Sequence, residues 1–295
     1  MTVLQSIVYT SELMFLMEEF MQRKILRGLK VSDFIHPNEL VAQQAALSNE
    51  TVRKYLNTAA ELCTNIVDPI TQGTFVKINE DSEPMLIRIV REVCEILDVT
   101  PVPDVYLCHL MYVNISPYGS EVPYLVVPDY VLRYIDEDML YYNVGNAITM
   151  LKADHVELAT IAAYMPGGGL IEIPKLLFTK YLHCADSTSD RGGLLACQSF
   201  SAAVRNHFWE LGIPPSKSAK FLSDDKSAEI FVEKYLTEQA FVLERFNGIF
   251  TRAARFWQRM AYLEAPTNKM LREIFDWYKD PKGYNAVLSK YTSER

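Results

Sequence analysis

Apolar residues recur along this chain mostly at helical spacing. Leu13, Leu16, Met17 and Phe20 form a stripe that predicts a helix over 11–30. "FIHPNEL" breaks at Pro37 and opens a second helical region, in which Asn49 is placed to cap "ETVRKYLNTAAELC". "DPITQG" reads as a turn. "SEPMLIRIVREVCEILDV" opens with a capping residue, a Glu and a Pro before a clear 3.6-residue period. "PDVYLCHLMYV" and "VPYLVVP" are the two strand candidates, rich in Val, Leu and Tyr and separated by the turn-like "NISPYGSE". Helices are predicted over 136–164, 172–187, 189–208, 225–262 and 268–278, punctuated by "PGGG", "GIPPS" and "DPKG". The fold class is therefore α+β, mostly α-helical around a small β-sheet. A helical N-terminal extension over 1–33 precedes a single domain over 34–295.

Composition narrows the function classes. Of 295 residues, 49% are hydrophobic and 22% charged, which fits a globular core and neither disorder nor a membrane bundle. A net charge of −8 argues against a nucleic-acid partner, and the basic cluster "RKILRGLK" at 23–30 reads as a solvated helix end. The five cysteines, at 63, 94, 108, 184 and 197, form no CxxC pair and suit a reducing compartment. The start lacks the basic n-region and cleavage site of a secretory signal, and the apolar stretch 158–165 is too short to span a bilayer. These features predict a cytoplasmic, soluble protein without a membrane span. There is no GxSxG elbow, P-loop or dinucleotide-binding glycine pattern.

Several segments, taken in order, carry a family resemblance. They are "FIHP" at 34–37, "VYLCHLMYVNISPYG", "VPYLVVPDYVLRYIDEDMLYYNVGN", "SDRGGLLACQ" at 189–198 and "APTNKMLREIFDWYKDPKGYNAVL". Together they resemble the HtpX-like zinc metalloproteases, the family that includes the CAAX prenyl proteases, and in particular its soluble cytoplasmic branch. The resemblance implies a zincin-like metalloprotease fold, in which one helix carries HExxH. There two His one turn apart bind Zn²⁺ and the Glu polarises its water. Laid on that pattern, "GNAITMLKADH" puts Asn146 at the first His, Ala147 at the general base and Met150 at the second His. Asp186 falls at the third ligand, a Glu in the family, and Asp190 and Arg191 match a partner pair beyond it. Ala265 stands where the family has a second-shell His. The same resemblance sets Asn114, Tyr118, Tyr124, His155 and Arg272 around the cleft.

Zinc prefers imidazole, thiolate and carboxylate, so an amide and a thioether are poor replacements for two His. Ala147 has no proton-accepting atom, and loss of a general base alone costs about 10²–10⁴-fold in rate. His155 is half a helical turn out of phase with Asn146, and Glu157 lies ~16 Å along the axis. His183 and Cys184 lie near Asp186 and supply donors for a rebuilt site; their plain reading is a partly exposed helix residue and a buried thiol. The tyrosine-rich run from Tyr106 to Tyr142 reads either as a wall around the sheet or as a cleft surface. The expected function is that of a catalytically inactive homologue, a pseudoenzyme with no cofactor. It binds a peptide or protein partner through the former substrate cleft, where the resembled fold takes substrate as an added strand. A peptidase or other hydrolase with non-standard or relocated ligands, and a structural subunit of a complex, are the alternatives.

Overall fold

The computed structural model describes residues 23–62, 65, 68–109, 114–119, 122–156, 172–210, 213–247 and 266–292. The entry segment passes through a 3₁₀ turn at Val31–Asp33 into α1 (Glu39–Ser48) and α2 (Glu50–Leu62), followed by α3 (Asp68–Thr74), β1 (Val76–Ile78) and α4 (Pro84–Ile96). Next come β2 (Asp104–Cys108), β3 (Ser116–Tyr118), β4 (Tyr124–Pro128), α5 (Asp129–Tyr134), α6 (Glu137–Lys152) and α7 (Glu172–Cys197). The remaining elements are α8 (Phe200–Glu210), α9 (Pro215–Ser218), α10 (Asp225–Asn247), α11 (Pro266–Lys279) and α12 (Tyr284–Thr292). The protein is a mostly helical α+β structure, and no described helix is long and apolar enough to cross a membrane.

The sheet runs β1-β2-β4-β3, with β2 and β4 parallel in register Asp104↔Tyr124 and the flanking strands antiparallel. Strand side chains alternate between faces. Val105, Leu125 and Val127 point into the main core with α4, α6, α7 and α8. Cys108, Tyr118, Tyr124 and Val126 form a separate buried cluster on the opposite face. The core's centre is the α6–α7 pair, where the chain needs glycine. A Cβ on Gly192 would lie 1.8 Å from Thr149 Oγ1, and one on Gly145 would lie 2.3 Å from the Ala196 Cβ.

Several sequence expectations need correction. Residues 23–30 are not helical; the 1–22 part of that expectation lies outside the described residues. The segment is extended because its groups are used one by one: Leu26 N–H donates to Ile96 O at 2.9 Å, and Leu26 and Leu29 enter the main core. Arg23 is not a solvated helix end; its guanidinium lies 3.5 Å above the Tyr141 ring and bonds Cys197 O and Asp138. "DPITQG" forms α3 rather than a turn, and part of "NISPYGSE" is strand β3, held by pairing to β4. Ser82 does not cap α4 but closes a turn on Asn79, whereas Asn49 does cap α2, accepting from Val52 N–H at 3.1 Å.

The two largest differences concern α6 and α7. Helix α6 stops at Lys152 instead of continuing to 164: Asp154 adopts a left-handed φ of 60°, and His155 N–H reaches back to Met150 O at 2.8 Å. This is a Schellman-type end without the usual glycine, so the sequence carries no stop signal there. Helix α7 runs unbroken through 187–189, where a break is expected. Thr188 Oγ1 donates to Glu39 rather than to the backbone, and Ser189 Oγ adds a bond to the Ala185 carbonyl one turn back, at 2.9 Å, which an intact helix accommodates. The break comes at Gln198, with φ 53°. "PGGG", Glu157 and the stretch 248–262 lie outside the described residues.

Gly192→Ala should destabilise the protein by about 1–3 kcal/mol through overpacking, despite a gain of ~1 kcal/mol in helix propensity. Adding Thr149→Ala, which removes Oγ1 and Cγ2 and leaves the Cβ at 2.6 Å, should recover part of the loss. Urea denaturation of the two variants measures both.

Candidate functional site

Helix α6 carries Tyr142, Asn143 and Asn146 toward α7 and α8, and the close helix approach brings them within hydrogen-bond range. Asn146 Nδ2 donates to Asp190 Oδ1 at 2.9 Å, and Tyr142 OH donates to the same oxygen at 2.8 Å. The Tyr142 oxygen is then free to accept from His207 Nε2, 3.3 Å away. That imidazole stands 3.9 Å from Asp190 Oδ2. A second branch runs from Asn143 Nδ2 to Asn206 Oδ1 at 2.7 Å and from Asn206 Nδ2 to Glu210 Oε1 at 3.3 Å. Asn114, exposed beside β3, reaches Glu210 Oε1 at 3.4 Å.

The electrostatics follow from burial. The Asp190 carboxyl is pushed up to about 7, chiefly by desolvation and partly offset by the bonds from Tyr142 and Asn146. Asp186 is pushed up to about 6, first by desolvation and then by the Asp190 charge, with His183 and His155 opposing. The Asp186 side chain is nonetheless exposed, which fits a recessed position open to solvent and ringed by protein. Burial holds the His207 imidazole below its ordinary value and the Tyr142 phenol well above its own.

The sequence-derived site residues are only partly gathered. Asn146 and Met150 are half-buried one turn apart on α6, with Asp186 and Asp190 one turn apart on α7. Ala147 is fully buried in the main core. His155 has left the helix: its Nε2 meets Glu39 Oε1 at 2.8 Å, and its ring packs edge-on against Tyr181. Arg191 is buried and turned away from Asp190, its Nη1 donating to Ile35 O at 3.0 Å and its guanidinium 5.3 Å from the Trp277 ring. Tyr118 and Tyr124 stack on each other on the sheet face opposite the main core. Arg272 is half-buried on α11, with its charge near Asp276. Ala265 lies outside the described residues.

Tyr142, Asn206, His207 and Glu210 were not singled out from the sequence. Their signal is a set of polar side chains, "RNH" in "FSAAVRNHFWE", inside a helix that is otherwise apolar and buried. Such groups need internal partners.

Zinc, which the family resemblance implies, does not suit these donors. Asn146 turns its N–H₂ toward a carboxylate, Met150 offers a thioether, and Asp186 is the one hard anionic donor of the three. Among the described residues no three His, Cys, Asp or Glu side chains are placed to hold a metal ion. Asp190 Oδ1 is already engaged by two donors.

Compared with family models, curated proteins and solved structures, the chain matches none. The geometry of α6, α7 and α8 therefore carries the functional reading.

Asp190 makes the site pH-sensitive in a defined direction. A carboxyl whose value rises on folding, here from 3.8 to about 7, holds its proton more tightly in the native state. Its contribution to stability is greatest below the unfolded value and declines as pH rises toward 7. Asp190→Asn keeps an acceptor for Tyr142 and Asn146 but cannot ionise. Across that window it should gain on the parent protein by up to roughly 1.4 kcal/mol per pH unit. Urea titrations at a series of pH values read the difference, and parallel curves would contradict it.

Proposed function

We propose that the chain is a catalytically inactive relative of the HtpX-like zinc metallopeptidases. On this reading it works in the cytoplasm and binds a peptide or protein segment through the former substrate cleft. The observation that carries the proposal is the hydrogen bond from Asn146 to Asp190. At the position the resemblance gives to the first zinc ligand, the side chain presents amide hydrogens to a buried carboxylate. Ala147, at the position of the catalytic Glu, adds apolar surface to the core.

The binding role is supported by the sheet. Strand β3 lies at its edge and packs beside α6, the arrangement in which an extended segment can pair with free backbone groups. Pro117, at the centre of this short strand, has no N–H to offer, so the edge pairs through few groups and side-chain contacts must set specificity. The exposed amide of Asn114 and the recessed carboxyl of Asp186 are polar groups suited to that role.

The rival reading, an enzyme with relocated metal ligands, would draw on His36, His183 and Glu273, the nearest concentration of donors. It is disfavoured by the His36 ring. Its Nδ1 accepts a backbone N–H, which puts the hydrogen on the nitrogen facing Glu273 and blocks that nitrogen as a ligand.

Metal analysis of protein purified without chelator tests the reading. The parent chain should hold less than about a tenth of an equivalent of zinc, whereas Asn146→His/Met150→His/Asp186→Glu should take up near one equivalent, as a site of three protein ligands and one open position does. Near-stoichiometric metal in the parent, lost on Asp186→Ala, would overturn the proposal. Extended peptides should bind the parent without being cleaved, and substitution of Asn114 should weaken them.

A further inference from the structure

The recess beside α6 is rich in acceptors and short of donors. Asp186 makes no hydrogen bond or ion pair among the described residues. Asp190, one turn further along α7, is only 8% exposed. Its Oδ1 takes both Tyr142 and Asn146, while Oδ2 faces the His207 imidazole at 3.9 Å and has no hydrogen bond. Glu210, at the end of α8, accepts from Asn114 and Asn206 on Oε1 alone. The buried His207 ring carries its hydrogen on Nε2, toward Tyr142, and its Nδ1 is an acceptor with no partner. The atoms left over in this wall are all acceptors, and unpaired acceptors at a buried site call for donors from elsewhere.

Charge points the same way. After burial itself, the Asp190 charge is what raises Asp186, and Asp190 and Asp186 both raise Glu210, so the three carboxyls stand close enough to repel one another. The nearest cationic groups are committed elsewhere. Arg191 donates to Phe34 O and Ile35 O, while His183 and His155 face Glu273 and Glu39.

Geometry narrows the missing cation. A metal ion needs its oxygens within about 2.0–2.6 Å, and among the described residues no three carboxylate, imidazole or thiolate groups are placed to hold one. An ammonium or guanidinium reaches acceptors at about 2.7–3.2 Å, and a guanidinium spreads five N–H donors over a plane. Gly145 lies against Ala196 and Gly192 against Thr149, so α6 and α7 run antiparallel and Met150 falls on the Asp186 side. Its half-buried thioether is suited to lie along an aliphatic stem. Asn114, just before β3, bonds Glu210 at 3.4 Å and sets the recess beside the sheet edge.

We infer that this recess receives the cationic head of a lysine or arginine side chain carried by the segment that pairs along β3. The inference rests on the peptide-binding reading and names what the bound segment must present.

NMR of the full chain tests the recess at about pH 8, above the values of about 6 and about 7 to which burial pushes Asp186 and Asp190. The probe n-butylguanidinium chloride should give saturable shifts at the Asp186 carboxyl carbon and the Asn146 and Asn114 side-chain amides. It should bind at least about tenfold more tightly than n-butylurea, which has the shape without the charge. Asp186→Asn should weaken it roughly tenfold. Equal shifts from n-butylurea or from sodium chloride at matched ionic strength, or unchanged affinity in Asp186→Asn, would overturn the inference. A response to calcium chloride alone would do the same, by making the recess a metal site. Should Asp186→Asn fail to fold, the comparison of these solutes on the parent chain decides. A short extended peptide of threonine and valine with one central arginine, set against its citrulline counterpart, separates this inference from the reading beneath it. A preference for arginine of at least about tenfold supports both. Equal binding of the two peptides sinks the cation and keeps the cleft; binding of neither, with n-butylguanidinium still bound, sinks the cleft and with it a side-chain ligand.

Discussion

The close approach of α6 and α7 is the constraint on which the rest of the structure depends. Helices normally pack with 8–10 Å between axes, set by the side chains at the contact. Here Gly145 and Gly192 leave no Cβ where Thr149 and Ala196 come nearest. Only because the helices come so close can an amide as short as Asn146 reach Asp190 across the interface. A larger side chain at either glycine would separate the helices and leave buried polar groups without partners, each costing about 1–3 kcal/mol.

Those buried groups are linked rather than scattered. Tyr142, Asn146 and His207 converge on Asp190, while Asn143, Asn206 and Glu210 form a neighbouring branch. A network of this kind is directional, so it specifies one arrangement of α6, α7 and α8 where apolar packing alone would allow several. It also occupies one oxygen of the Asp190 carboxylate. The same side chains fix the three helices in place.

The same stretch of α7 also organises the N-terminal segment. Arg191 holds the carbonyls of Phe34 and Ile35, Thr188 holds His36 and Glu39, and His183 shares Glu273 with His36. The same turns of one helix therefore carry both the candidate site and the anchor of the entry segment.

The sequence by itself determined the fold class, the two central strands and most of the helices. Periodicity reports which face of an element is buried, and that information is local. It also held Asn146, Ala147, Met150 and Asp186, which together offer a metal ion one carboxylate and no imidazole. The end of α6 at Lys152, the unbroken course of α7 through Ser187, Thr188 and Ser189, and the extended path of 23–30 were decided only by the tertiary structure. In each case a backbone choice that is locally unfavourable or neutral is settled by a distant partner: Glu39 for Thr188, Ile96 for Leu26, and Glu39 again for His155, just beyond the end of α6. The same holds for the site. Asp190 was visible as a residue, but its meeting with Tyr142, Asn146 and His207 required three helices to be placed together, and no spacing along a single chain encodes that.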